Sequence, residues 1–392
     1  MKLVKILSTF FRFLGINISK IGVVMKTLVG IDSIKTFENS VEIGNIFKAN
    51  LSSDVEVMPF LDGGEGTVEA MQAIIKGKYK YVNVHNPLND VITARYILKD
   101  DLAVMEMAES SGIRLLYKEE LRVMESSSLG FGEMVLDGLN NGARSFYIGI
   151  GDTATNDLGM GMLYALGVRF FDEYDNGLNP IAENMIKVAR VDISGLDKKL
   201  RDVDVRIATS TNQTLFGENS FLEDRVYRKG ASDYDTARLF NGCKHFKKII
   251  EDTLGTGPVD MPAMGSGGGV AWALYMFFKA KISKSMDFIL KTIDFKDLVM
   301  DKDVLILGEN VDQFNGAASI NVASLAKRYK KDIKIIFLQD KDGEKIENRG
   351  DFDLIYTYKL KEAYYRKDIH KEIAGLAKSL DRSILASKKL GV

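Results

Sequence analysis

The sequence predicts an α/β protein, and three stretches carry that prediction. Thr27–Ile31 is a short apolar run that gives way to the polar stretch Asp32-Ser33-Ile34-Lys35, and helical spacing follows from Asn39 to Leu51. Asp54–Phe60 is a partly alternating run that enters Leu61-Asp62-Gly63-Gly64-Glu65-Gly66-Thr67, after which Val68 to Lys76 again has helical spacing. Arg144–Ile150 runs through Gly151 and a polar segment into Met160, Met162, Leu163 and Leu166, which fit a helix. Strand, polar loop, helix is the repeat that builds a parallel sheet, and it leaves binding loops at the strand ends.

The loop from Leu61 to Thr67 is the most informative of these. Three glycines interleaved with two acids and a threonine have no reason to exist in a core, a helix or an ordinary surface. At a strand-to-helix junction, backbone N–H groups and the positive end of the helix dipole face any bound anion. Asp62 and Glu65 add oxygens of the kind that Mg²⁺ takes when it bridges the phosphates of a nucleotide. A tight turn whose acids cap the next helix uses the same residues, and on this loop alone the two readings are equally weighted.

With Asp32-Ser33-Ile34-Lys35, Glu106-Met107-Ala108-Glu109-Ser110-Ser111-Gly112 and Ala154-Thr155-Asn156-Asp157, the loop resembles the glycerate kinase family of bacterial two-domain α/β enzymes. Order and spacing match over nearly the whole chain from Met25 onward. The resemblance implies a Rossmann-like parallel sheet domain built from both chain ends, 25–80 and 290–392, with a second mixed α/β domain, 81–289, inserted between them. It implies ATP-dependent phosphorylation of D-glycerate to a phosphoglycerate, 2-phosphoglycerate for many members, with ATP and Mg²⁺ as cofactors. Lys35, Asp62 and Glu65 are then expected to be catalytic, with Asp62 and Glu65 holding the metal. Asp32, Ser33, Gly63, Gly64, Gly66, Thr67, Glu106, Thr155, Asn156, Asp157, Glu309 and Asp312 are expected around substrate and nucleotide. Outside the resemblance, Lys35 reads as a solvated lysine as readily as a phosphate clamp.

Several positions depart from the family pattern. Asp152 stands where a glycine is usual, and a carboxylate there would repel an approaching phosphate. Ser210 and Asn212 replace two aspartates, Gln213 and Thr214 replace Asn-Pro, and the segment Gly308-Glu309-Asn310-Val311-Asp312 lacks the usual arginine and a following lysine. Of a longer block only Lys229-Gly230-Ala231-Ser232 remains. These changes leave open a second reading, a protein on the same fold that binds a small organic acid or nucleotide with weakened or no turnover.

Composition narrows the alternatives. A chain of 392 residues with 46% hydrophobic content favours two domains over one. A net charge of −1 offers no footprint for nucleic acid, so a small-molecule substrate is the expected partner. The single cysteine, Cys243, excludes an intramolecular disulfide and suits a reducing cytoplasm. His85, His245 and His370 lie far apart, which argues against a histidine zinc site or a Ser/His/Asp triad, and no Gly-x-x-x-x-Gly-Lys-Ser/Thr loop exists. Residues 1–24 carry Lys2, Lys5, Arg12 and Lys20 without an acid, too short and too charged a run to span a membrane. They read best as an extension upstream of a start at Met25, ahead of a membrane-surface helix or a signal peptide. No integral membrane association is expected, and a homodimer is left open.

The remaining elements follow in order. Tyr79–Val84 and Ile92–Leu98 read as strands joined by the turn residues Asn86–Asp90, and Leu102–Met105 runs into Glu106, so a mixed or antiparallel sheet starts near residue 80. Ser126, Ser127 and Ser128 precede a helix through Leu139, where hydroxyls serve as caps. Val203–Ala208 is a strand, and Gly265-Ser266-Gly267-Gly268-Gly269 opens a helix through Phe278, its glycines suited equally to close packing and to phosphate contact. Val304–Leu307 with a helix from Ile320 to Tyr329, strands at Ile333–Phe337 and Phe352–Tyr356, and a charged amphipathic helix complete the chain.

Overall fold

A computed structural model describes residues 25–32, 39–61, 63–223, 226–309, 317–340, 350–359 and 366–389. In chain order its strands are β1 (Lys26–Ile31), β2 (Asp54–Val57), β3 (Lys78–His85), β4 (Val91–Lys99), β5 (Leu102–Glu106), β6 (Ser145–Gly149), β7 (Arg169–Phe171), β8 (Arg190–Asp192), β9 (Asp204–Thr209), β10 (Lys281–Lys284), β11 (Val304–Gly308), β12 (Lys334–Asp340) and β13 (Leu354–Tyr358). The described residues form two compact units. One takes those up to Leu61, Glu69–Ile74 and those from Met286 onward; the other takes those within Asp62–Val68 and Ile75–Ser285.

The first unit is built on a five-stranded sheet in the order β13-β12-β11-β1-β2, parallel throughout, so both ends of the chain supply its strands. Val29 pairs with Ile306 and Ile306 with Ile336, which makes the central strands near-continuous apolar runs. Such runs are the signature of strands covered on both faces. Ile43 and Phe47 of the helix Ser40–Asn50, and Ile369, Ile373, Leu376 and Leu380 of the helix Arg366–Lys389, join Val29, Ile306 and Ile336 in one core. Asn39 starts the earlier helix, its side-chain oxygen accepting the Glu42 N–H at 3.0 Å.

The second unit carries a six-stranded mixed sheet in the order β10-β9-β6-β5-β4-β3. β3, β4 and β5 form an antiparallel meander, and β5, β6, β9 and β10 run parallel. The hairpin of β3 and β4 extends the expected strands to the pairs Lys78↔Leu98 and His85↔Val91. Its turn is held by Asn86, whose side-chain oxygen accepts the N–H groups of Leu88 and Asp90 at 2.9 and 3.0 Å. A small second sheet pairs β7 with β8.

The long helix Asp233–Leu254 is not among the elements that the sequence announces. Polar and charged residues are spread along it, but Leu239, Cys243, Phe246 and Ile250 recur at helical spacing and are fully buried. Ser232 and Asp235 form a capping box at its start, and Gly255 closes it in a left-handed conformation.

Candidate active site

In the second unit, β5, β6 and β9 run parallel and end side by side, with Glu106 paired to Gly149 and Gly149 to Ala208. The carboxyl edge of a parallel sheet is where α/β proteins bind ligands, because the loops there lie together while their strands are fixed below. Here the glycine loop lies over that edge. The Gly151 N–H donates to the Gly63 carbonyl at 3.0 Å. A Cβ at Gly63, whose φ is +90°, would come within 2.5 Å of the Ala208 carbonyl oxygen. Only glycine permits this approach. The neighbouring loops are tied in the same way: Ala154 N–H to the Ser111 carbonyl at 2.8 Å, Leu158 N–H to the Gly268 carbonyl at 3.1 Å, and Gly265 N–H to the Gln213 carbonyl at 2.9 Å. Thr209 and Ser266 share a buried hydroxyl contact at 3.0 Å.

Glu106 lies beneath the glycine loop, almost wholly buried, and its Oε2 accepts the Val68 N–H at 2.9 Å at the start of the following helix. Burial pushes its carboxyl up to about 8, with the nearby charges of Glu109 and Glu65 adding to the rise and the backbone hydrogen bond opposing it. Because the folded state raises this group above its ordinary 4.5, the stability tied to its protonated form is full below that value and is lost as pH climbs through about 8. The denaturant midpoint should therefore fall between pH 5 and pH 8, and Glu106→Gln should flatten that slope. An unchanged slope in the variant would assign the pH dependence to other groups.

Glu65 is exposed and pairs with Arg114 at 2.9 Å. Partial desolvation raises its carboxyl and the Arg114 guanidinium opposes the rise. Asp152 faces the same loop: its Oδ2 accepts the Glu65 N–H at 3.0 Å, and its backbone takes a φ of +54°. A carboxylate of the chain itself thus occupies a donor of the loop.

The sequence places Asp157 among the ligand contacts, and in the structure its hydrogen bonds go to the protein. It is fully buried, and Oδ2 accepts the Ser128 N–H, the Ser128 hydroxyl and the Gly161 N–H at 2.8, 2.8 and 3.0 Å, while Oδ1 accepts the Gly159 N–H at 3.1 Å. With both oxygens spent on the protein, Asp157 is a brace under the loop. Ser128, expected as a helix cap, makes no capping bond and instead links Asp157 to the Met162 N–H at 3.0 Å.

Thr155 and Asn156 lie in the loop above that brace. Lys229, which in the sequence stands out only as part of a surviving Lys-Gly pair, reaches across to them. Its Nζ donates to Asn156 Oδ1 at 2.7 Å, to the Thr155 carbonyl at 2.9 Å and to Thr153 Oγ1 at 3.3 Å. Thr155 Oγ1 and Asn156 Nδ2 are buried without a hydrogen-bond partner among the described residues. A buried polar atom without a partner is uncommon enough to call for an explanation, and this loop holds two of them side by side in sequence. Gly267, Gly268 and Gly269 have φ of +63°, +66° and +88°, and a Cβ at Gly268 would sit 1.9 Å from the Thr155 carbonyl oxygen. The glycines thus serve close packing against this loop.

Gly64, Gly66 and Thr67 complete the glycine loop, with Thr67 Oγ1 donating to the Gly64 carbonyl at 2.7 Å. Asp32 and Glu309 belong to the first unit, at the carboxyl ends of the neighbouring strands β1 and β11. The Asp32 N–H donates to the Gly308 carbonyl at 2.9 Å, and the Glu309 carboxylate accepts the Ser319 N–H. Ser33, Lys35, Asp62 and Asp312 lie outside the described residues. Among the described residues no three His, Cys, Asp or Glu side chains are grouped to hold a metal ion, and no helix is long and apolar enough to cross a membrane.

Comparison with known proteins agrees with this architecture. The family model described as the glycerate kinase family matches residues 27–383. The chain is 30% identical to a glycerate kinase of Bacillus subtilis over 93% of this chain and 98% of that one. It is 34% identical to a glycerate kinase of Halalkalibacterium halodurans over 71% and 74%, and 31% identical to a glycerate 2-kinase of Escherichia coli over 79% and 84%. A crystal structure of a Salmonella typhimurium chain assigned as glycerate kinase 2 superposes with a TM-score of 0.80 at 26% identity, covering 94% of this chain and all of that one. Matched across nearly its whole length, with a parallel sheet built from both ends and a mixed sheet between, this chain belongs to the glycerate kinase family.

Proposed function

We propose that the protein transfers the terminal phosphoryl group of ATP to D-glycerate, giving 2-phosphoglycerate. The observation that supports this most is the meeting of the glycine loop, Glu106 and Thr155–Asn156 at the ends of β5, β6 and β9 in a chain of this family. Phosphoryl transfer asks little covalent chemistry of a protein; it needs positioning and charge compensation. The unpartnered donors of Thr155 and Asn156 suit phosphate or carboxylate oxygens, and the exposed carboxylate of Glu65 suits a divalent cation. In this reading Asp62 and Glu65 hold Mg²⁺, which when bound neutralises charge on the phosphates. Lys35 clamps an anionic group, Glu106 keeps the glycine loop seated, and Lys229 holds Thr155 and Asn156 in place.

One contact favours a second reading, ligand binding with weak turnover: the Asp152 carboxylate sits on the Glu65 N–H, where an incoming anion would meet a like charge. ATP consumption measured with and without D-glycerate and Mg²⁺, with the product identified by NMR, separates the two. Consumption that requires all three components supports the kinase. Binding of D-glycerate or ATP without consumption supports the second reading, and neither binding nor consumption would sink both.

A further inference from the structure

We infer that a groove in the second unit, between the turn Ala182–Lys187 and the helix Asp233–Leu254, is a binding site for a small organic anion. The cavity measures about 530 Å³, within the range of small-molecule sites. None of its walls comes from the carboxyl-edge loops.

Its chemistry has two parts. Met124 and Ile186 give it an apolar lining, with Ile186 left 47% exposed. Arg238, Lys244 and Lys248 supply cations from a single helix. Arg238, His245 and Lys248 recur at the spacing that places residues on one helical face. The acid in the lining is Glu183, already paired with Arg238 at 2.5 Å, and Asp235 lies 4.0 Å from the same guanidinium, which leaves Lys244 as the lining cation with no acidic partner among the described residues. Lys248 is paired with Asp252 at 3.0 Å, but both side chains are largely exposed and the pair exchanges readily with a competing anion. Lys244 is exposed and makes no hydrogen bond or ion pair with a described residue. His245 donates from Nε2 to the Val188 carbonyl at 2.7 Å, which fixes its ring at the edge of the groove. The unpaired Lys244 and the readily exchanged Lys248 favour an anion over a metal cation, and the apolar lining favours an anion with a hydrocarbon body over a bare inorganic ion.

The groove wall is also hydrogen-bonded toward the active-site loop. The N–H groups of Glu183 and Ala182 donate to the carbonyls of Met124 and Ser126 at 2.7 and 3.1 Å, and Ser128, two residues on, grips Asp157.

The test uses phenyl phosphate as probe and phenol as its uncharged counterpart, with binding followed by isothermal titration calorimetry on the full chain. Saturable binding of phenyl phosphate is expected, with phenol far weaker. Lys244→Glu combined with Lys248→Glu should weaken phenyl phosphate at least about tenfold, because the variant reverses two of the groove's exposed charges. Circular dichroism and the melting temperature verify that the variant is folded, and Lys244→Ala alone should give a smaller loss in the same direction. Absence of saturable binding at millimolar probe, or binding unchanged in the folded double variant, overturns the proposal, the latter by placing the probe at another site.

Discussion

Asp157→Ala should cost the protein about 2–5 kcal/mol of stability, because a buried donor left without an acceptor costs about 1–3 kcal/mol. The carboxylate receives three backbone N–H groups and one hydroxyl in a place closed to water, and alanine leaves all four donors without an acceptor. Asp157→Asn should lose less, since one oxygen remains to accept, but its amide N–H₂ would face donors. Urea denaturation of the three proteins measures the order wild type, Asn, Ala. If the Asp157→Ala protein unfolds at the wild-type midpoint, the network is not a brace and the assignment of Asp157 fails. Catalytic loss in the same variant should follow from a displaced Thr155–Asn156 loop, because all of the aspartate's hydrogen bonds go to the protein.

Gly268→Val is expected to be as damaging and more specific to the site. The position has a φ of +66°, where a left-handed backbone costs an L residue roughly 1–2 kcal/mol. The added Cβ would lie 1.9 Å from a backbone carbonyl, and no rotamer change of a neighbour can relieve that clash. The chain must move Thr155 or the glycine segment itself. We expect a loss of at least about 2–4 kcal/mol in stability and, in the fraction that folds, a fall in glycerate-dependent ATP consumption of about a hundredfold or more. Gly257→Val is the control, because nothing lies within 4 Å of its added Cβ and it is not left-handed. Equal effects of the two substitutions would show that valine is harmful for general reasons and that the close approach at Gly268 is unimportant.

Much of the fold was legible because its signals are local. The apolar runs of β1, β6 and β11 and the helical spacing after them lie within a few residues of one another, so periodicity alone sets strand, loop and helix in order. Local chemistry also marked the glycine loop, since a left-handed backbone at Gly63 and Gly66 demands glycine whatever the rest of the chain does. The long helix Asp233–Leu254 escaped because its polar face outweighs its buried apolar positions in any average over the sequence.

What the sequence by itself determined was the kind of protein: an α/β chain with a glycine loop at a strand end, made recognisable as a family member by four short motifs in order. Tertiary structure alone decided which partners these residues find. Lys229 meets Asn156 across 73 positions of chain, Asp152 meets the Glu65 N–H across 87, and Ser128 meets Asp157 across 29. No local pattern foretells such pairs, because a buried polar group is compelled only to find some partner, and which one it finds depends on how the strands order themselves in the sheet. Asp157 thus finds Ser128, while Lys229, which looks incidental in the sequence, finds the Thr155 carbonyl.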